Sequence, residues 1–168
     1  MMTLEEYTAT ETNRLILEDA YKDPYQNSPL LPLKRLSSKK KGKFFEKLYE
    51  EYVTLQGKSV TPPHNPEHDR ITNGRKKEIK GSFLWGTGTH FRWQQIRPHH
   101  DYDDIVFIAA YPDRVEFYEA DKQTVANFVQ QKNEKGEWVY NQHGGKKVNS
   151  GTFFLDGFPE DYEWMKNA

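Results

Sequence analysis

The chain has no cysteine, which excludes disulfides and thiolate metal sites. It has no apolar run near the roughly 18 residues that a membrane-spanning helix needs, and its N-terminus lacks a signal-peptide pattern. Neither sign of charge dominates: 24 Lys and Arg stand against 25 Asp and Glu, for a net charge of −1. The globally basic balance that usually marks a nucleic-acid binder is therefore missing, and only local clusters of charge can serve that purpose. These absences predict a soluble, cytoplasmic protein with no membrane partner.

What is present is enough to fold. The 168 residues are 35% hydrophobic and 14% aromatic, sufficient for one domain with a real core and too few for two comfortable ones. An N-terminal helix is expected over residues 4–22, with Leu15, Ile16 and Leu17 on its apolar side, followed by a Pro-containing linker around Tyr25 to Pro32. Residues 1–36 thus form a helix and linker, 38–120 the central segment, and 121–168 a further helix with strand and loop elements.

The most informative stretch is Asp69-Arg70-Ile71-Thr72-Asn73-Gly74-Arg75-Lys76-Lys77-Glu78-Ile79-Lys80. Asn-Gly between two strand-like runs is the strongest short signal for a two-residue hairpin turn. The register fixed by that turn sets Asp69 opposite Glu78, and period-two alternation puts Lys80 on the face of Glu78 while Ile79 points away. Two carboxylates about 4 Å apart repel by roughly 4 kcal/mol at an effective dielectric of about 20. A hard divalent cation offsets that repulsion, and Mg²⁺ is usually held by one or two carboxylates with water and phosphate oxygens. With a lysine beside it, the arrangement fits metal-assisted phosphodiester hydrolysis. The competing reading is a surface hairpin whose charges are solvated or paired, for example Glu67 with Lys80.

Asp69, eight residues, then Glu78-Ile79-Lys80 resembles the Asp … Glu-x-Lys signature of the PD-(D/E)xK nuclease superfamily, in particular type II restriction endonucleases. Glu78-Ile79-Lys80 is the one acidic-x-Lys triplet in the sequence. His68 stands where the family pattern has proline. The resemblance covers roughly residues 38 to 120. It includes a preceding helix that carries a glutamate: Lys43 to Leu55 has Phe45, Leu48, Tyr49, Tyr52 and Val53 at helical spacing, Gly57 to end it, and Glu46 bordering the apolar face.

The resemblance implies an α/β fold with a restriction-endonuclease-like core, a central mixed β-sheet flanked by helices. It implies catalytic roles for Asp69, Glu78, Lys80 and Glu46, with Asp69 and Glu78 binding Mg²⁺. The implied activity is Mg²⁺-dependent cleavage of double-stranded DNA at a short specific sequence, with a homodimer as the simplest way to cut both strands. A structure-selective repair or phage nuclease of the same superfamily and a non-catalytic DNA-binding protein with this fold are the alternatives.

Positive charge collects at Lys34-Arg35, at Lys39-Lys40-Lys41-Gly42-Lys43 and at Arg75-Lys76-Lys77. Lys39, Lys40, Lys41 and Lys43 are candidate DNA contacts through phosphate, and the hairpin cluster shares that expectation. Gln94 and Gln95, in the segment after the hairpin, are candidates to contact phosphate or orient catalytic groups. Lys146, Lys147, Gln142 and Asn149 in a Gly-rich loop are candidates for base readout.

Downstream, Ile105 to Tyr111 is a nearly continuous apolar run, as expected of a strand buried on both faces. Pro112-Asp113 reads as a turn, Val115 onward as a second strand, and Ala120 to Gln131 as a helix with Val125, Phe128 and Val129 inward. His99-His100-Asp101 does not have the spacing of a metal site, because adjacent side chains in extended chain point apart. Trp85-Gly86-Thr87-Gly88-Thr89-His90 lacks the lysine and following helix of a phosphate-binding loop.

Overall fold

In the computed structural model, which describes residues 1–140 and 151–168, the chain opens with helix α1 (Leu4–Lys22), the short α2 (Leu31–Lys34) and α3 (Ser38–Leu55). Helix α1 is laced by ion pairs from Arg14 to Glu11 and Glu18, and from Lys22 to Glu18, pairs three and four residues apart that support an exposed helix. Leu15, Ile16 and Leu17, expected on an inward side, are 51, 59 and 70% exposed. Three consecutive residues spread over more than half the helix circumference and cannot form one buried stripe.

The segment expected as a linker is tied down. Tyr25 is fully buried, its hydroxyl donating to the Ala110 carbonyl and accepting from the Leu84 N–H. Helix α3 begins earlier than the expected Lys43 because Ser37 caps it, its side chain accepting from the Lys40 N–H. Phe45, Tyr49 and Val53, four apart, are its buried face. Past its end, Gly57 N–H donates to Thr54 and Lys58 N–H to Val53, the two bonds of a Schellman stop.

The strands then follow: β1 (Val60–Thr61), β2 (Arg70–Thr72), β3 (Arg75–Trp85), β4 (His90–Ile96), β5 (Asp104–Ala110) and β6 (Val115–Asp121). Helix α4 (Lys122–Val129), capped by Asp121, is shorter than the expected helix because Gln130 already starts β7 (Gln130–Lys132). Then come β8 (Trp138–Tyr140), β9 (Phe153–Gly157) and β10 (Lys166–Asn167). Among the described residues eight strands make one sheet. Its main path is β1-β2-β3-β5-β6-β10, with β4 branching from β3 and β9 pairing with β4, while β7 and β8 form a separate ribbon.

The sheet is mixed. β3 and β5 run parallel, whereas β2–β3, β5–β6 and β4–β9 are antiparallel. The protein is thus α/β with a central mixed sheet and few helices. All seven residues of β5 are buried, as its continuous apolar run requires. Residues 153–168 belong to the same core: Phe153, Leu155, Tyr162 and Met165 join Phe45, Phe83 and Ile105 in one hydrophobic cluster. Among the described residues no helix is long and apolar enough to cross a membrane.

Candidate active site

The hairpin register is the one the turn demands: Thr72 pairs with Arg75 and Arg70 with Lys77. Asn73 and Gly74 both have positive φ, 49° and 81°, as a type I′ turn requires. β2 covers one end of β3, and β4 meets it only at Leu84 and Trp85. Among the described residues the edge of β3 away from β5 has no strand partner between them. The backbone bonds of that fork must be satisfied by side chains. Asp69 accepts the Ile79 N–H at 2.7 Å, and the Ser82 hydroxyl accepts the Arg92 N–H at 3.0 Å.

Asp69 lies just before β2, its own N–H donating to the Lys77 carbonyl at 2.9 Å. Its carboxylate faces both Glu46 and Glu78 and acts on the ionisation of each. Burial, and then the Asp69 carboxylate, pushes the Glu78 carboxyl up to about 8 against an ordinary 4.5, with Lys80 pulling the other way. The same two causes push Glu46 up to about 7. Lys80 Nζ is 3.5 Å from Glu78 Oε1, so the lysine pairs within the triplet and not with Glu67. The structure therefore brings Glu46, Asp69, Glu78 and Lys80 together. Among the described residues no three His, Cys, Asp or Glu side chains are placed to hold a metal ion together.

Three neighbours had no signal in the sequence. Arg70 reaches Glu46 at 3.7 Å and Glu50 at 3.0 Å, although period two alone would send it away from Asp69. His68 is 2% exposed. Its Nε2 accepts from the His64 N–H, which leaves Nδ1–H to donate to the Asp101 carbonyl. The residue before Asp69 is thus a buried histidine pinned by two hydrogen bonds. Tyr102, from the loop before β5, is buried with no hydrogen-bond partner for its hydroxyl among the described residues. Burial pushes that phenol well above its usual range, and the Glu78 charge adds to the effect.

The basic clusters divide. Arg75, Lys76 and Lys77, expected to meet phosphate, are engaged within the protein. Arg75 clamps Asp104 through two bonds, Lys76 pairs with Asp101, and Lys77 reaches both Asp104 and Glu119. Burial alone would lower the Lys77 ammonium, but bonds to those two carboxylates outweigh it and hold its pKa raised. Lys39, Lys40, Lys41 and Lys43 instead lie in the first turns of α3, with no acid in the first turn to balance them.

Gln94 and Gln95 are not in a connection but in β4, at a bulge against β9 where Gln95 has φ of 58°. With Lys39, Lys41, Lys80 and Trp85 they line a cleft of about 700 Å³ that opens where β3 and β4 part. His99 and His100 pack edge to face in a loop. Lys146, Lys147, Gln142 and Asn149 lie outside the described residues.

No protein-family profile and no curated protein matches the chain. Among solved structures, a bacterial homing endonuclease, I-Ssp6803I, is similar with a TM-score of 0.45 at 14% identity, over 77% of this chain and 81% of that one.

Proposed function

We propose that this protein is a Mg²⁺-dependent endonuclease that hydrolyses DNA phosphodiester bonds, with a restriction-endonuclease-like core. The observation that supports it most is the carboxylate group at the fork: Asp69 acts on both Glu46 and Glu78, which are held above the normal carboxylate range, with Lys80 alongside. Such a group shares protons that a hard cation replaces. Two carboxylates, Asp69 and Glu78, suit Mg²⁺, which takes its remaining ligands from water and phosphate. Mg²⁺ at that position supplies Lewis-acid polarisation of the phosphate and a lowered pKa for water.

The protein's own groups do the rest. The Ile79 N–H fixes one oxygen of Asp69, leaving the other for a ligand. Lys80 positions the attacking water and neutralises charge as it develops on the phosphate. Glu46, steered by Arg70, orients the neighbouring carboxylates. Lys39, Lys40, Lys41 and Lys43 contact the phosphate backbone. Cations in the first turn of a helix oppose its dipole by about 0.3–1 kcal/mol each, and an anionic ligand relieves that opposition. In the finer reading the enzyme is of type II restriction kind, cutting double-stranded DNA at a short site as a homodimer. A structure-selective nuclease is the second reading, favoured by the basic, aromatic-rimmed cleft beside Lys80.

The test is incubation of purified protein with plasmid and phage DNA, with Mg²⁺ or EDTA. Discrete Mg²⁺-dependent fragments are expected, and Glu78→Gln and Lys80→Ala each lower cleavage by at least about a hundredfold with unchanged circular dichroism. Undiminished cutting by either variant would overturn the assignment. Cutting of flaps or junctions without discrete plasmid fragments would select the second reading.

A further inference from the structure

We propose that the cleft beside Lys80 is a site for one unpaired nucleotide, with Trp85 as the surface on which its base stacks. The inference rests on the reading of the protein as a DNA-acting enzyme and goes beyond it in naming what the cleft takes.

The cleft exists because β3 and β4 are joined only at Leu84–Phe91 and Trp85–His90 and diverge toward Lys80 and Gln94, with the start of α3 forming the third wall. Its volume of about 700 Å³ lies in the usual range of small-ligand sites, roughly 300–1,000 Å³, and is too small to admit a duplex.

Its chemistry is one-sided. Lys34, Lys39, Lys41, Lys80 and Arg92 line it, and among the described residues no acidic side chain does. Lys34 is occupied by Asp23, Arg92 by Asp156, and Lys80 by Glu78. Lys39 and Lys41 have no ion pair among the described residues, which leaves two ammonium groups for the phosphate of a bound nucleotide.

Trp85 is 42% exposed at the rim, yet its ring is held in place. The Arg92 guanidinium lies 4.7 Å from the Trp85 ring centre and 4.9 Å from that of Phe154. Arg92 is itself clamped by Asp156 through two bonds of 2.7 Å. An aromatic ring held by a clamped guanidinium, with the His90 ring stacked near it at 6.4 Å, loses little freedom when a base lies on it. A basic groove with an aromatic platform is the general arrangement by which proteins hold unpaired bases. The Gln94 and Gln95 amides in the wall offer both donors and acceptors to a base edge. The Gln95 backbone, at φ of 58°, takes a conformation uncommon for a residue other than glycine.

The experiment measures binding by fluorescence anisotropy in EDTA, where no cutting interferes. The probes are a labelled oligothymidylate, a fully paired duplex, and the same duplex with one unpaired nucleotide. Trp85→Ala is expected to weaken binding of the first and third by roughly 5- to 150-fold, the range of a base–aromatic stack, while Trp85→Phe keeps most of the affinity. Loss confined to those two probes assigns a base already unpaired in the substrate. Loss on the paired duplex as well, restored by Trp85→Phe, assigns a base drawn out of the helix. A second measurement needs only the Phe variant: oligothymidylate should quench tryptophan fluorescence more in the wild type than in Trp85→Phe. Equal quenching, unchanged affinities in Trp85→Ala, or a Phe variant as weak as the Ala variant would overturn the proposal. Because no metal is present, its failure leaves the cleavage reading standing, and a protein that binds through Trp85 without cutting loses only the latter.

Discussion

Gly81 lies directly beneath Phe45: a Cβ on Gly81 would sit 2.1 Å from Phe45 Cδ2 and 2.2 Å from its Cγ. The ring root cannot swing away, so α3 itself must lift from β3. Glu46, the next residue, would move with it. Gly81→Ala is expected to destabilise the fold by about 1–3 kcal/mol, as overpacking does, and to lower cleavage in the fraction that remains folded. Urea melts with a parallel activity assay check this; unchanged values in both would show that the helix does not govern the position of Glu46.

Magnesium affinity should rise with pH. Glu78, a proposed ligand pushed up to about 8, and its neighbour Glu46, pushed up to about 7, must lose protons as a cation binds beside them. Binding is therefore weak at pH 6 and strong above pH 8, with protons released on binding. Calorimetry in buffers of different ionisation enthalpy measures this, and a pH-independent affinity would contradict it.

The metal-free fold should show the opposite trend. A carboxyl whose pKa is raised by folding contributes stability that is fully present below its ordinary value of 4.5 and lost as pH climbs through its folded value. Between about pH 5 and 8 the loss should be on the order of 3 kcal/mol, since each tenfold gain in proton affinity on folding is worth about 1.4 kcal/mol. Glu78→Gln should flatten that decline, which thermal melts across the window will show.

Tyr102→Phe removes a buried hydroxyl that has no partner among the described residues, so stability should hold or improve by up to about 1 kcal/mol. If that hydroxyl serves Glu78 during catalysis, the rate falls and its pH profile moves. A variant with an unchanged profile would make Tyr102 mere packing.

Asp104→Ala should cost about 3 kcal/mol or slightly more, because it strips Lys77 of its buried partner and breaking a buried pair costs about 3–5 kcal/mol, with the half-exposed Glu119 still 2.9 Å away. DNA affinity of the folded variant should not change, since this cluster is engaged within the protein. A matching loss of affinity would return Arg75, Lys76 and Lys77 to the phosphate-binding set.

The parts of the fold legible in the sequence are those governed by local chemistry. Asn73-Gly74 admits one tight hairpin geometry, which carries Glu78 and Lys80 to one face, and the apolar run from Ile105 fills a strand buried on both sides. What was not legible depends on distant partners. Nothing near Lys77 announces that Glu119 and Asp104 will claim it, nor does Tyr25 announce its hold on Ala110 and Leu84. Gln94 and Gln95 resemble a polar connection because the strand they occupy is bulged and one-sided. In α1, Leu15-Ile16-Leu17 suggests a buried stripe, but crowding in sequence becomes dispersion around a helix.

The Ile79 amide donates to a side chain, Asp69, in the middle of β3. It is a natural spectroscopic window. Its proton sits one hydrogen bond from the carboxylate that any cation or change of ionisation must disturb, so a single cross-peak in a nitrogen–proton spectrum should track the state of the whole cluster. Its exchange with deuterium, slow while Asp69 is in place, would report when the fork opens, without a substrate.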